Sequence, residues 1–167
     1  RFNHPNIVTI HGVGEHNGSP YLALEYVEGE DLRMRLRTRP MSVPEALRYG
    51  VAIGSALREA HECGVLHRDL KPSNVFVGKD GRVRVLDFGL AKLYSATSSP
   101  TSFAAGDAET PLGERTFGVG TPKYMAPEQW REEECGTAAD VWAFGVLLYA
   151  MLARRLPFAQ PTLVAQV

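Results

Sequence analysis

The chain has 167 residues, 44% of them hydrophobic and 22% charged, with a formal net charge of −1. That length suits one modest domain, and that balance gives no case for nucleic-acid or other polyanion binding. The two cysteines, Cys63 and Cys135, have no metal-ligand spacing with the five histidines, which speaks against structural zinc and fits a reducing compartment; no signal peptide and no apolar run of the ~18 residues that a membrane helix needs can be read, so the segment is expected to be cytoplasmic.

In chain order, Asn6 to Val13 and Tyr21 to Val27 are β-rich runs around the turn cluster His16-Asn17-Gly18-Ser19-Pro20, predicting a hairpin. Gly12 and Gly14 are expected to be turn or loop glycines. Ser42-Val43-Pro44-Glu45 fits a capping box, and Val43, Leu47, Gly50, Val51, Gly54 and Leu57 then recur at helical spacing until Gly64. This helix leads into His67-Arg68-Asp69-Leu70-Lys71-Pro72-Ser73-Asn74. Val75-Phe76-Val77 and Val83-Arg84-Val85-Leu86 flank the turn Gly78-Lys79-Asp80-Gly81, predicting a second hairpin with Asn74 at its entrance and Asp87-Phe88-Gly89 at its exit. Two oxygen ligands at opposite ends of one rigid hairpin can converge on a hard cation such as Mg²⁺. Ser95 to Gly113 is rich in Ser, Thr, Ala, Gly and Pro, as a long loop would be. The uncharged run Val141 to Ala153 follows Asp140; it is too short for a bilayer and suits a buried helix.

The pairing of H-R-D-x-x-x-x-N with D-F-G spells phosphoryl-transfer chemistry: a carboxylate to receive a hydroxyl proton, and an amide and a second carboxylate to hold magnesium against phosphates. With these motifs in register the chain resembles the eukaryotic-type protein kinases. Gly120-Thr121-Pro122-Lys123-Tyr124-Met125-Ala126-Pro127-Glu128 resembles that family's substrate-receiving loop in its serine/threonine form, as does Lys71 two residues after Asp69. The wording of Val65-Leu66-His67 and of Met125-Ala126-Pro127-Glu128-Gln129 is similar to that of bacterial members.

The resemblance implies an α+β, kinase-like fold: residues 1–27 end the small lobe and form the hinge, and 28–167 belong to the helical large lobe, with catalytic loop 67–74 and activation segment 87–128. The family's glycine-rich loop, strand lysine and helix glutamate have no counterpart here, because Gly12-Val13-Gly14 continues to Asn17 and Val51-Ala52-Ile53 is followed by Gly54. A complete kinase domain runs to roughly 250–300 residues, so the chain is expected to lack the first strands and the last helices. Taken alone it is expected to be inactive and poorly folded, while its parent transfers the ATP γ-phosphoryl group to Ser or Thr of proteins with Mg²⁺. The competing expectation is a pseudokinase-like nucleotide-binding or scaffold module.

By residue, the resemblance implies Asp69, Lys71, Asn74 and Thr121 as catalytic, and Asn74 and Asp87 as metal ligands. It implies Leu24 as gatekeeper, the Glu25 carbonyl and Val27 amide at the adenine edge, Asp31 near the ribose, Phe76 beneath adenine and Asp87 beside the phosphates. Without it, Leu24 and Phe76 are core residues and Asp31 a helix cap. Phe88, His67 and Ile10 are expected to stack as an apolar spine, and Asp140 to brace the catalytic-loop backbone. Arg68 is implied as the receiver of a regulatory phosphate carried by Thr116, for which the alternative is plain linker composition.

Overall fold

The computed structural model describes residues 3–88 and 122–158; Thr116 and Thr121 lie outside them. Strands β1 (Ile10–His16) and β2 (Ser19–Leu24) form an antiparallel hairpin. Its turn is only Asn17-Gly18, both at positive φ (51° and 76°), the conformation whose twist suits a two-residue hairpin. The strands therefore run on into the predicted turn cluster. Gly12 and Gly14 lie within β1, not in a turn, and the Tyr21 ring occupies the space where a Gly14 Cβ would stand.

The predicted start of the first strand, Asn6 to Val8, serves a different sheet. Ile7 bridges Val85 in parallel, Val8 N–H donates to the Val85 carbonyl at 2.9 Å, and Val85 N–H donates to the Asn6 carbonyl at 2.8 Å. That sheet contains β3 (Gly29–Asp31), β4 (Val75–Gly78) and β5 (Val83–Val85), antiparallel in that order. The predicted hairpin between Val75 and Leu86 is β4–β5, with Val75, Val77, Val83 and Val85 turned into the core. Period-two alternation thus gives this hairpin one buried face.

Helix α1 (Leu32–Thr38) follows β3 directly. Helix α2 (Val43–Glu62) begins at Ser42, whose Oγ accepts the Glu45 N–H at 3.3 Å, and ends before Gly64 at φ +71°. Only half of the predicted capping box forms, because the Glu45 carboxylate is drawn to Arg35 instead, at 2.6 and 2.8 Å. Of the predicted stripe of α2, Gly50 and Leu57 face inward, joined by Ala46, Tyr49, Ile53, Ala56 and Ala60, while Val43, Leu47 and Val51 are exposed. A small residue stands at Gly50 because α4 approaches closely there, bringing Leu148 and Phe144 to within 3.4 and 3.9 Å of where a Gly50 Cβ would lie.

After the short α3 (Pro127–Trp130), helix α4 (Thr137–Ala153) starts earlier than the apolar run suggests and is buried on one side only. Ala139, Ala143, Val146, Leu147, Ala150 and Met151 face inward, whereas Val141 and Leu152 are exposed. The core lies between α2, α4 and the β4–β5 hairpin, with Leu32, Ile53, Leu70 and Leu147 at its centre. Among the described residues no helix is long and apolar enough to cross a membrane.

Candidate active site

The loop between α2 and β4 carries His67, Asp69, Lys71 and Asn74, and its shape is set by a carboxylate from a distant helix. Asp140, buried in the first turn of α4, accepts the His67 N–H through Oδ2 and the Arg68 N–H through Oδ1, both at 2.8 Å. The brace expected of Asp140 is present, and its location in the first helical turn also suits the helix dipole. Sequence reasoning missed two further members of this brace. The His61 ring lies 2.8 Å from Asp140 Oδ2, and Gln129 Nε2 donates to the Arg68 carbonyl at 3.1 Å. The only sequence signal was a polar residue on each segment flanking the motif, which no periodicity distinguishes.

Held by both its N–H and its carbonyl, Arg68 adopts φ +66°, and Asp87 has the same φ. Non-glycine residues in the left-handed region need surroundings that over-determine them, and such residues gather at functional sites. For Arg68 those surroundings are Asp140 and Gln129.

Asp69 and Asn74 are brought together. The Asn74 amide donates to the Asp69 carbonyl at 2.9 Å and to its Oδ2 at 3.4 Å, while Lys71 Nζ lies 2.8 Å from the same Oδ2. With its nitrogen committed to Asp69, the Asn74 amide has its oxygen left for other work; the nearest donor is Ser73 Oγ at 3.5 Å, the outer limit of a hydrogen bond. Asn74 is itself fixed by a helical turn over Pro72–Asn74 and by the Leu86 N–H, which donates to its carbonyl at 2.8 Å. That last bond ties the entrance of the hairpin to its exit, one residue before Asp87.

Asp87 has its pKa raised above the usual carboxylate value, first by burial among neighbouring atoms and then by the Asp69 charge, against the opposing pull of His67 and Lys71. Two carboxylates thus share one ammonium, a charge balance that favours a bound cation. The oxygen chemistry of Asn74 and Asp87 fits a hard divalent ion. Among the described residues no group of three or more His, Cys, Asp or Glu forms a metal site on its own, so any ion there needs oxygens from elsewhere, as Mg²⁺ on phosphates has.

His67 and Phe88 stack at 4.9 Å with a 58° tilt, forming two members of the expected spine. Ile10 sits in the β1–β2 sheet opposite Leu24 and is not part of the buried cluster that holds Phe88. Burial lowers the His67 pKa despite the Asp140 charge. Its Nδ1 accepts the Asp69 N–H at 3.3 Å, and its Nε2 is buried with no partner among the described residues.

The segment after β2 carries the remaining sequence-predicted positions. Glu25 N–H donates to the Thr9 carbonyl at 2.8 Å, but the Thr9 N–H is taken by the Glu25 side chain at 3.2 Å. That leaves the Glu25 carbonyl without its ladder partner, and the Val27 N–H likewise makes no main-chain hydrogen bond among the described residues. Asp31 caps α1, its Oδ1 accepting the Met34 N–H at 2.7 Å, and lies opposite Phe76 across β3 and β4. Leu24 is half-buried at the end of β2.

A sequence model of the protein kinase domain matches residues 1–166. The chain is 39% identical to the serine/threonine-protein kinase pkn3 of Myxococcus xanthus, with 98% of this chain and 29% of that protein aligned. It is 36% identical to the probable serine/threonine-protein kinase PknB of Lactococcus lactis, with 98% of this chain and 24% of that protein aligned. A fungal relative, the protein kinase C-like protein of Cochliobolus heterostrophus, is 36% identical over 93% of this chain and 12% of its own length. The chain therefore spans less than a third of each of these relatives.

Proposed function

The chain belongs to the protein kinase domain family, and from that premise we propose that it carries the catalytic loop and hinge of a serine/threonine protein kinase that moves the γ-phosphoryl group of ATP to protein hydroxyls. On this reading residues 1–27 end the small lobe and 28–167 belong to the large lobe, working in the cytoplasm. The observation that carries the proposal is the convergence of Lys71 and Asn74 on Asp69, at 2.8 and 2.9 Å.

Asp69 orients the acceptor hydroxyl and takes its proton as the new O–P bond forms and the bond from the γ-phosphorus to the β,γ-bridging oxygen breaks, releasing ADP. Lys71 neutralises charge on the moving phosphoryl group, and Thr121 joins Asp69 and Lys71. Asn74, through its amide oxygen, and Asp87 would hold Mg²⁺, which when bound would offset the charge of the phosphates. The Glu25 carbonyl and Val27 N–H, on half-buried residues with no main-chain partner, offer adenine one acceptor and one donor. Leu24 closes the back of that pocket, Phe76 forms its floor and Asp31 faces the ribose. The Arg68 guanidinium has no ion-pair partner among the described residues, which suits a phosphate on Thr116 as its regulatory counter-charge.

The test is transfer from γ-labelled ATP to serine, threonine and tyrosine peptides by the natural full-length protein. Serine or threonine labelling is expected, lost on chelating divalent cations and reduced about 10²–10⁴-fold by Asp69→Asn, as for other general bases. Tyrosine labelling, or transfer unaffected by D69N, would overturn the proposal.

A further inference from the structure

Arg84 belongs to no motif, yet it stands at a junction. At the centre of β5 it pairs with Phe76, which pairs in turn with Asp31, so the three residues form one rung across the three-stranded sheet. Because their neighbours Val75, Val77, Val83 and Val85 are buried, the rung projects from the opposite face. The Arg84 side chain is 14% exposed and is gripped from two sides, with Nε 3.2 Å from Glu25 Oε1 and Nη2 3.0 Å from Asp80 Oδ2. The other Glu25 oxygen accepts the Thr9 N–H at 3.2 Å. One carboxylate thus joins the entry to β1, the segment after β2 and the centre of β5.

We infer that Arg84 is a positioning residue for the nucleotide, acting through Glu25 to fix the adenine-facing main chain relative to Phe76 and Asp87. The inference rests on the proposed kinase reading. The Glu25 side chain occupies the Thr9 N–H that the Glu25 carbonyl would otherwise take in an extended ladder, and Arg84 supplies the charge that keeps it there. The arrangement leaves the carbonyl unpaired and aims it from a fixed point. A planar guanidinium held by two carboxylates can serve both at once in a way that a lysine ammonium cannot. Pre-set geometry of this kind lowers the cost of ordering a bound ligand.

The test measures KM for ATP, kcat and thermal stability in the natural full-length protein. Arg84→Met is expected to raise KM for ATP about five- to tenfold, the scale of a coupled contact pair, with kcat falling by a smaller factor. R84K is expected to recover part of the affinity, and Glu25→Gln to add little in the R84M background, because the two substitutions break one interaction. A drop in melting temperature with KM unchanged, or additive effects of the two substitutions, would assign Arg84 a merely structural role. An unsubstituted protein that binds no ATP would overturn the proposed function and this inference together; equal ATP binding with and without R84M would overturn this inference alone.

Discussion

Asp140 and Arg68 are 72 residues apart in sequence, and the carboxylate of the first accepts the main-chain N–H of the second at 2.8 Å. The same carboxylate holds His67 N–H and the His61 ring, so a single buried side chain satisfies three donors from two segments. Arg68 keeps its left-handed φ of 66° only while this clamp exists.

Asp140→Ala is accordingly expected to destabilise the fold by about 2–5 kcal/mol, since each buried donor left without a partner costs roughly 1–3 kcal/mol and the loop can relax to rehydrate some of them. Asp140→Asn keeps one acceptor but turns an N–H₂ toward another donor, so it should recover little. Chemical denaturation checks this, and a loss below about 0.5 kcal/mol for D140A, the scale of an ordinary surface change, would show that the brace is dispensable.

A second prediction concerns α1 and α2. Arg35 is almost fully buried, and its Nη2 reaches both oxygens of Glu45, which also accepts the Tyr49 hydroxyl at 3.2 Å. Burial alone would raise the Glu45 pKa, but the hydrogen bond and charge of Arg35 outweigh it and leave the carboxyl below its ordinary 4.5. A folded-state pKa lowered in this way stabilises the protein above the unfolded value, so the contribution is complete above pH 4.5 and fades as pH falls through the lower folded value. Glu45→Gln should cost about 3–5 kcal/mol at neutral pH by leaving Arg35 buried and unpaired, whereas R35M combined with E45L should come close to the unsubstituted stability. A double mutant as unstable as E45Q would contradict this account.

The motifs around Asp69, Asn74 and Asp87 were legible because their spacing encodes chemistry, and the β4–β5 hairpin because its valines alternate and its turn is rich in Gly and Asp. Helix α2 was legible in extent but not in facing. Its larger apolar residues Val43, Leu47 and Val51 outscore the small Ala46, Ala56 and Ala60 on any hydrophobic pattern, yet the small ones share the buried face with Tyr49, Ile53 and Leu57. Ion pairs between distant segments, Arg35–Glu45 and Glu25–Arg84, leave no mark on local periodicity and emerge only from the fold. The resemblance supplied the hinge assignments, and the residues alone would have left Asp31 as the helix cap that it also is.

The last prediction turns on Asp87. Its pKa is raised above 3.8, chiefly by burial and then by Asp69, so in the absence of a cation the folded state holds its proton more tightly than the unfolded chain does. Stability from this group is therefore full below pH 3.8 and is lost as pH rises through the folded-state value. Asp87→Asn removes that loss. At neutral pH the metal-free variant should be slightly more stable than the unsubstituted protein, and below pH 3.8 the difference should vanish. Because Asp87 remains exposed by surface area, solvent weakens the effect, and the gain is expected to stay under about 1 kcal/mol. Mg²⁺ with ATP reverses the order, since a cation between Asn74 and Asp87 favours the ionised carboxylate: thermal melts should rise with ligand for the unsubstituted protein and stay flat for D87N. A D87N protein that is less stable without metal yet gains as much from Mg²⁺ and ATP would show that Asp87 is a structural carboxylate, with the cation held by other groups.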